Sequence, residues 1–292
     1  MCHTTVKIDV LPQPFIKWAG GKTQILDQLS RFLPPTNSFQ TYFEPFLGGG
    51  AVFLHLEPSS AILSDSNNEL INLYTVIKNN VEKLMEKLEE FKKEPLSPDL
   101  YYSRRSDYTN LLINGLEMDA VDRAALFIFL NKTCYNGLYR VNRRGGFNVP
   151  FGKYEKTPNL YLRENLIYVS RLLSNKEISC DGYESALSMA TENDFVYLDP
   201  PYLPSPSRNE FTSYTSDRFL KSNHEKLAQT FADLDSRGCK VLLSNSNTPY
   251  VKKLYSRFSK RIMRAGRMIN SNGANRKGFQ ELLIFNYDKF RN

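Results

Sequence analysis

Histidine, cysteine and tryptophan are scarce in this chain of 292 residues, numbering three, four and one. Each shortage excludes something. His3, His55 and His224 lack the spacing of a ligand set, so no metal site is expected. Cys2, Cys134, Cys180 and Cys239 form no CxxC pair, and four scattered thiols in a chain of this size make no disulfide framework. They read as reduced thiols in a cytoplasmic protein. Long apolar runs are also missing: the longest resemble AALFIFL at 124–130, far short of the roughly 18 residues that cross a bilayer. No membrane span is expected. The N-terminal MCHTTVKIDVLPQPF has neither an apolar core nor a small-residue cleavage site, and so gives no export signal. Hydrophobic residues make up 41% of the chain. That is enough for a buried core in one large domain or two modest ones, which argues against a disordered chain.

The net charge of +7 is unevenly placed. Residues 131–156 carry Lys132, Arg140, Arg143, Arg144, Lys153 and Lys156 against Glu155 alone, a local balance of +5. Residues 250–277 carry Lys252, Lys253, Arg257, Lys260, Arg261, Arg264, Arg267, Arg276 and Lys277 with no acid, a balance of +9. The other 238 residues therefore sum to −7. One basic stretch is usually a solvated face; two on an acidic body, one of them interleaved with aromatics, point to a polyanion partner.

Apolar β-rich runs recur at YFEPF (42–46), AILSD (61–65), FVYLD (195–199), KVLLS (240–244) and ELLIFNY (281–287). Several end in an acidic or polar residue followed by Gly, Asn or Pro, as where parallel strands emerge at the ligand edge of an open α/β sheet. Val81, Leu84, Met85, Leu88 and Phe91 fall at helical spacing among Lys and Glu, which predicts an amphipathic helix. Asp122 is placed to cap a second helix through AALFIFLNK. From about 73 to 160 the strand rhythm disappears, so this stretch reads as a mostly helical insertion. LPSPSRNEFTSYTSD at 203–217 follows a strand end and is rich in Pro, Ser and Thr, the composition of a loop beside a site.

After YFEPF, Gly48, Gly49 and Gly50 form a tight turn that opens into a helix and lets backbone approach a ligand closely. Asp65 ends the next strand, where an acidic side chain accepts hydrogen bonds from ribose hydroxyls. The competing reading is a turn plus a helix-capping Asp65-Ser66-Asn67. The dinucleotide fingerprint GxGxxG fails at Phe53, and AGGKT at 19–23 fails as a phosphate loop because Ile16 stands where a glycine is needed. A ligand with a ribose but no diphosphate fits better, and S-adenosylmethionine is the leading candidate.

A further element of chemistry is Asp199-Pro200-Pro201-Tyr202, which begins at the last residue of FVYLD. The prolines fix an extended turn and leave carbonyls without local amide partners. Asp199 and the Pro200 carbonyl can then accept both N–H bonds of an exocyclic amine, with Tyr202 stacked on its base. Such acceptors localise a conjugated lone pair and aim it at a methyl sulfonium, so catalysis is mostly positioning and electrostatics. An ordinary strand-ending turn is the bland alternative.

With these motifs in hand, the chain resembles the DNA adenine methylase (Dam) family. The matching segments are FIKWAGGK (15–22), FEPFLGGG (43–50), SDSNNELINLY (64–74), NGLYRVNRRGGFNVPFGKY (136–154), DPPY (199–202), FTSYT (211–215), LSNSN (243–247) and SNGANRK (271–277), in the family's order nearly end to end. The resemblance implies a Rossmann-like α/β methyltransferase sheet formed by residues 1–72 and 160–292, with a mostly helical target-recognition domain at 73–159 that carries a β-hairpin. It implies transfer from S-adenosylmethionine, leaving S-adenosylhomocysteine, to N6 of a flipped adenine in double-stranded DNA, with GATC the expected site. Asp199, Pro200, Pro201 and Tyr202 would be catalytic. Trp18, Lys22, Phe46, Gly48, Asp65 and Asp199 would hold the cofactor. The hairpin would enter the major groove, with Arg140 on guanine, Leu138 and Pro150 on a thymine methyl, and Lys17 and Tyr154 near the first guanine. Tyr135 would wedge beside the flipped base. Asn136, Asn148, Lys153, Arg276 and Lys277 complete the expected DNA contacts. A monomer at the bacterial or archaeal nucleoid, without metal, is the simplest expectation. The rival readings are a methyltransferase of RNA or of a protein amide, and a DNA-binding protein with a vestigial cofactor site.

Overall fold

The computed structural model describes residues 11–154, 158–202, 219–265 and 279–287. In chain order the elements are α1 (Leu26–Leu29), β1 (Tyr42–Glu44), α2 (Ala51–Leu56), β2 (Ala61–Ser64), α3 (Asn68–Lys93), α4 (Pro98–Asn114), α5 (Ala120–Thr133), α6 (Arg163–Leu173), β3 (Glu177–Ser179), α7 (Tyr183–Ala186), β4 (Phe195–Leu198), α8 (Lys221–Ser236), β5 (Lys240–Ser246), α9 (Pro249–Leu254), β6 (Ser259–Ala265) and β7 (Phe279–Phe285). They form one seven-stranded sheet in the order β3-β2-β1-β4-β5-β7-β6. Strands β1 to β5 pair in parallel, and β7 runs antiparallel between β5 and β6.

The sheet is buried on both faces, which is why its central strands read as continuous apolar runs rather than alternating ones. Along β4, Phe195 and Tyr197 join one core with Leu70, Leu73 and Ile77 of α3, while Val196 and Leu198 join the other with Leu227 and Phe231 of α8 and Val251 of α9. Successive side chains thus point to opposite layers. The chain winds outward from β1 to β2 and β3, then returns to β4 on the other side of β1. This reversal opens a crevice beyond the carboxyl ends of β1 and β4, the place where open α/β sheets bind ligands.

All five strands expected from the sequence are present. Two more, β3 and β6, were not expected: β3 has only three residues, none buried, and β6 (SKRIMRA) lies inside the segment read only as a basic patch. The predicted amphipathic helix is the second part of α3, which breaks at Asn80 (φ −140°, ψ 35°). Position 73, where the sequence pattern starts an insertion, falls within this helix. Asp122 does not cap α5. The cap is Asp119, whose side chain accepts from Val121 N at 2.8 Å, and Asp122 sits one turn in, paired with Lys87 at 2.9 Å. An Asp at either position suits a helix N-terminus, and the sequence alone does not separate cap from first turn. Among the described residues no helix is long and apolar enough to cross a membrane.

Candidate active site

Gly48 and Gly50 both take the left-handed conformation, at φ 49° and 64°. A side chain there would be strained and obstructed: a Cβ on Gly48 would lie 2.8 Å from Trp18 Cδ1, and one on Gly50 2.6 Å from the Tyr74 hydroxyl. Asp65 closes the turn from the next strand, accepting from Gly48 N at 3.0 Å through Oδ2 and from Asn67 N at 3.0 Å through Oδ1. The cap of α3 is Asn67, which accepts from Glu69 N and Leu70 N. Asp65 is therefore not a helix cap but a brace of the glycine turn. Burial raises its carboxyl above the usual range, and the backbone N–H groups of Gly48, Asn67 and Ser66 offset part of that rise. Trp18 lies over the turn and stacks on Tyr139 (5.5 Å, 28°) and Phe127 (6.3 Å, 18°). Phe46, after β1, stacks on Tyr183 at 5.5 Å and meets Phe219 edge-on at 6.0 Å.

Beside this turn lies a cluster of opposed charges. Lys22, only 3% exposed, places Nζ 2.7 Å from Asp199 Oδ2, 2.7 Å from the Gly20 carbonyl and 3.8 Å from Glu281 Oε2. The Tyr202 hydroxyl lies 3.0 Å from Glu281 Oε2 and 3.3 Å from Asp199 Oδ1, and its ring faces Lys22 Nζ at 5.2 Å. Behind them Glu44 is buried and accepts from the Tyr42 hydroxyl at 2.8 Å. Burial opposes the charge on Lys22, but Asp199 and Glu281 outweigh it and hold the ammonium pKa above the ordinary lysine value. Burial likewise raises Asp199 and Glu281, with Lys22 pulling both back. Glu44 is pushed up to about 8, first by burial and then by Asp199, against the hydrogen bond from Tyr42.

A model of the D12 class N6 adenine-specific DNA methyltransferases matches residues 18–269 of the chain. The chain belongs to this family. It is 46% identical over 290 residues to the type II methyltransferase M.MjaIII of Methanocaldococcus jannaschii, covering 94% of this chain and 99% of that protein. It is 38% identical over 277 residues to M1.LlaDCHI of Lactococcus lactis subsp. cremoris, covering 94% and 95%. To the DNA adenine methylase of Escherichia coli strain K12 it is 36% identical over 270 residues, covering 92% and 93%. The enzyme is thus an adenine-specific DNA methyltransferase that takes its methyl group from a donor, and its sheet is the Rossmann-like α/β sheet expected from the sequence.

The structure brings together Trp18, Gly48 and Asp65 on one side and Lys22, Asp199 and Tyr202 on the other, all at the carboxyl edge of the sheet. Phe46, Pro200 and Pro201 flank them in sequence. The segment after α5 pairs antiparallel through Cys134 with Phe151 and Val141 with Phe147. Asn142 shapes its turn by accepting from Arg144 N and Gly146 N. Helix α4 holds the far arm through its backbone carbonyls: Tyr101 and Arg105 donate to Val149, and Thr109 to Phe147. Arg140 donates through Nε to Asn148 Oδ1 at 2.7 Å and through Nη2 to the Asn148 carbonyl at 3.2 Å. Asn148 therefore orients Arg140. Tyr135, Asn136, Pro150 and Lys153 are exposed, Leu138 is half-buried, and Tyr154 donates to the Cys134 carbonyl. Lys17 is exposed, with its stem packed on Gly137. Arg276 and Lys277 lie outside the described residues, as do the expected loop at 203–217, FTSYT and SNGANRK.

Three residues of the site were not found from the sequence. Glu44 and Glu281 each sit inside an apolar strand, where a glutamate carries no spacing signal. Asn131, buried at the end of α5, accepts from Lys17 N and donates to the carbonyls of Lys17 and Gly137. Cys134 is a packed thiol that burial pushes up to about 12, which leaves no thiolate at neutral pH. Among the described residues, no three His, Cys, Asp or Glu side chains are grouped to hold a metal ion.

Proposed function

We propose that the enzyme uses S-adenosylmethionine to methylate N6 of an adenine flipped from a GATC site in duplex DNA. The observation that carries this reading is the pair of half-sites at the sheet switch point: the Trp18, Gly48 and Asp65 cradle, and Asp199 beside it. The cradle suits the donor. Its two left-handed glycines let Trp18 and Tyr74 close directly on the turn, and the Asp65 carboxylate has acceptor capacity beyond its backbone bonds. Trp18, Phe46, Gly48 and Asp65 would hold S-adenosylmethionine, with Lys22 and Asp199 alongside. When bound, it supplies an electrophilic methyl group on sulfur.

The chain's own residues act on the amine. Asp199 Oδ1 and the Pro200 carbonyl accept its two N–H bonds, which pulls the nitrogen toward tetrahedral geometry and frees its lone pair. Tyr202 stacks on the base. Once methylated, the nitrogen is cationic and readily gives up a proton, so Asp199 need not begin as a strong base. For a base in a duplex to reach Asp199 it must leave the stack, and Tyr135 is an exposed aromatic suited to fill the gap. In this reading residues 73–159 form the target-recognition part of a catalytic domain built from 1–72 and 160–292, with α3 shared between them. Arg140, held in plane by Asn148, reads guanine; Leu138 and Pro150 meet the thymine methyl; Lys17, Asn136, Lys153 and Tyr154 surround them. Arg276 and Lys277 are assigned to DNA on sequence grounds alone.

The test is transfer of labelled methyl from S-adenosylmethionine to duplexes that contain or lack GATC. Labelling of RNA or protein but not DNA refutes the reading. Asp199→Ala should abolish transfer while keeping duplex affinity; loss of both would make Asp199 structural.

A further inference from the structure

The Tyr202 hydroxyl stands between two carboxylates, 3.0 Å from Glu281 Oε2 and 3.3 Å from Asp199 Oδ1. A phenol has one proton to donate, so it serves one of them at a time. The choice matters for Asp199. Its Oδ2 is already engaged by Lys22 at 2.7 Å, so Oδ1 is the less engaged oxygen for an N–H from the adenine amine. If Tyr202 donated there, it would compete with the substrate for that oxygen.

We infer that Glu281 is a positioning residue that draws the Tyr202 hydroxyl proton away from Asp199 and keeps Asp199 Oδ1 open to the adenine amino group. The fold makes this possible through the reversed strand. Strand β7 runs antiparallel to β5 with Glu281 opposite Ser246, which delivers a carboxylate to the sheet edge where Asp199 follows β4. Glu281 is 7% exposed. A buried carboxylate needs a partner, and Lys22 Nζ at 3.8 Å provides one while it holds Asp199. One lysine thus steadies both acids, and the shorter of the two tyrosine contacts favours Glu281.

This inference rests on the reading that Asp199 accepts the target amine. Its test is a double-mutant cycle of Glu281→Ala and Tyr202→Phe, with kcat and KM measured for S-adenosylmethionine and for a duplex containing adenine targets. Glu281→Ala should lower kcat roughly 10- to 100-fold, the range for one charged hydrogen bond, with KM for the donor changed less than about threefold. Glu281→Gln keeps an acceptor oxygen and should recover most of kcat. The decisive result is the double variant. With no hydroxyl left to turn on Asp199, Glu281→Ala/Tyr202→Phe should be faster than Glu281→Ala alone, a rescue that a merely structural role does not give. If Glu281→Ala unfolds at a lower temperature than the wild type, Glu281→Met fills the same space and replaces it in the cycle. A double variant no faster than the single one overturns the inference, as does a Glu281→Gln variant as slow as Glu281→Ala, which would make charge balance with Lys22 the role. A wild-type enzyme that methylates no adenine would instead overturn the reading beneath it.

Discussion

Replacing Glu44 with glutamine should change how the stability of the protein depends on pH. Glu44 is on β1, 3% exposed, with its carboxyl accepting from the Tyr42 hydroxyl. Burial and then the neighbouring Asp199 push it from 4.5 up to about 8. In the folded protein Glu44 therefore keeps its proton to about pH 8. In the unfolded chain it loses that proton at the ordinary carboxylate value. Between the two, unfolding releases a proton, so stability is full below the unfolded value and is lost as pH rises through the folded one. At about 1.4 kcal/mol per pH unit, the gap amounts to roughly 5 kcal/mol once complete, of which about 3 kcal/mol is lost by pH 7. Glutamine has the same shape and no proton to lose. Asp199, Glu281 and Lys22 titrate in both proteins, so the difference between wild type and Glu44→Gln reports Glu44 together with its coupling to Asp199 and Lys22. Urea unfolding from pH 5 to pH 9, followed by the fluorescence of Trp18, the sole tryptophan, reads it directly. The wild type should lose about 4 kcal/mol relative to the variant across that range. Stability curves that run parallel within about 1 kcal/mol would refute a carboxyl held neutral by burial.

Three further outcomes follow from named contacts. Arg140→Ala should cost roughly 1–3 kcal/mol of binding to the preferred site and relax discrimination at one base pair. Methylation rates on single-substituted sites check it, and unchanged specificity would remove the base-reading role. Arg264→Gln, at an exposed position on β6, should weaken binding to every duplex alike and reduce the salt slope of the affinity by about one. A change confined to one base position in a filter-binding series would contradict a phosphate contact. Gly48→Ala places a Cβ in a left-handed turn and against the Trp18 indole. It should weaken S-adenosylmethionine at least about tenfold in calorimetry with duplex affinity preserved; equal loss of both would mean the turn supports the whole fold.

The legible parts of the site are those that sit where a strand stops. Gly48, Asp65 and Asp199 each follow an apolar run directly, and parallel strands bring their carboxyl ends to one edge whatever their separation in sequence. Lys22 was legible only through the FIKWAGGK resemblance, since a lone lysine after two glycines carries no pattern of its own. Glu281 was not legible, because its place depends on β7 running backwards between β5 and β6, and no local residue pattern encodes strand direction. β6 was missed for a related reason. Lys260, Arg261 and Arg264 gave it the look of a solvated basic stretch, and only Met263 among its described side chains is buried.

The two halves of the molecule that the sequence presents as separate motifs meet at one side chain. Trp18 covers Gly48 in the glycine turn and stacks on Tyr139, the residue between Leu138 and Arg140. Immediately before it, Lys17 is tied by both backbone groups to the Asn131 side chain, which also holds the Gly137 carbonyl. A shift of the hairpin arm at 137–140 therefore cannot occur without moving the indole or breaking buried hydrogen bonds, and the latter is costly. The arrangement is packed rather than hinged, because Phe127 backs both Trp18 and Tyr139 as a third stacked ring. The hairpin arm and the glycine turn are in this way placed on one rigid layer: the aromatic stack fixes the distance between them, and in the proposed function that distance sets how far a base held at the hairpin lies from the carboxylate of Asp199.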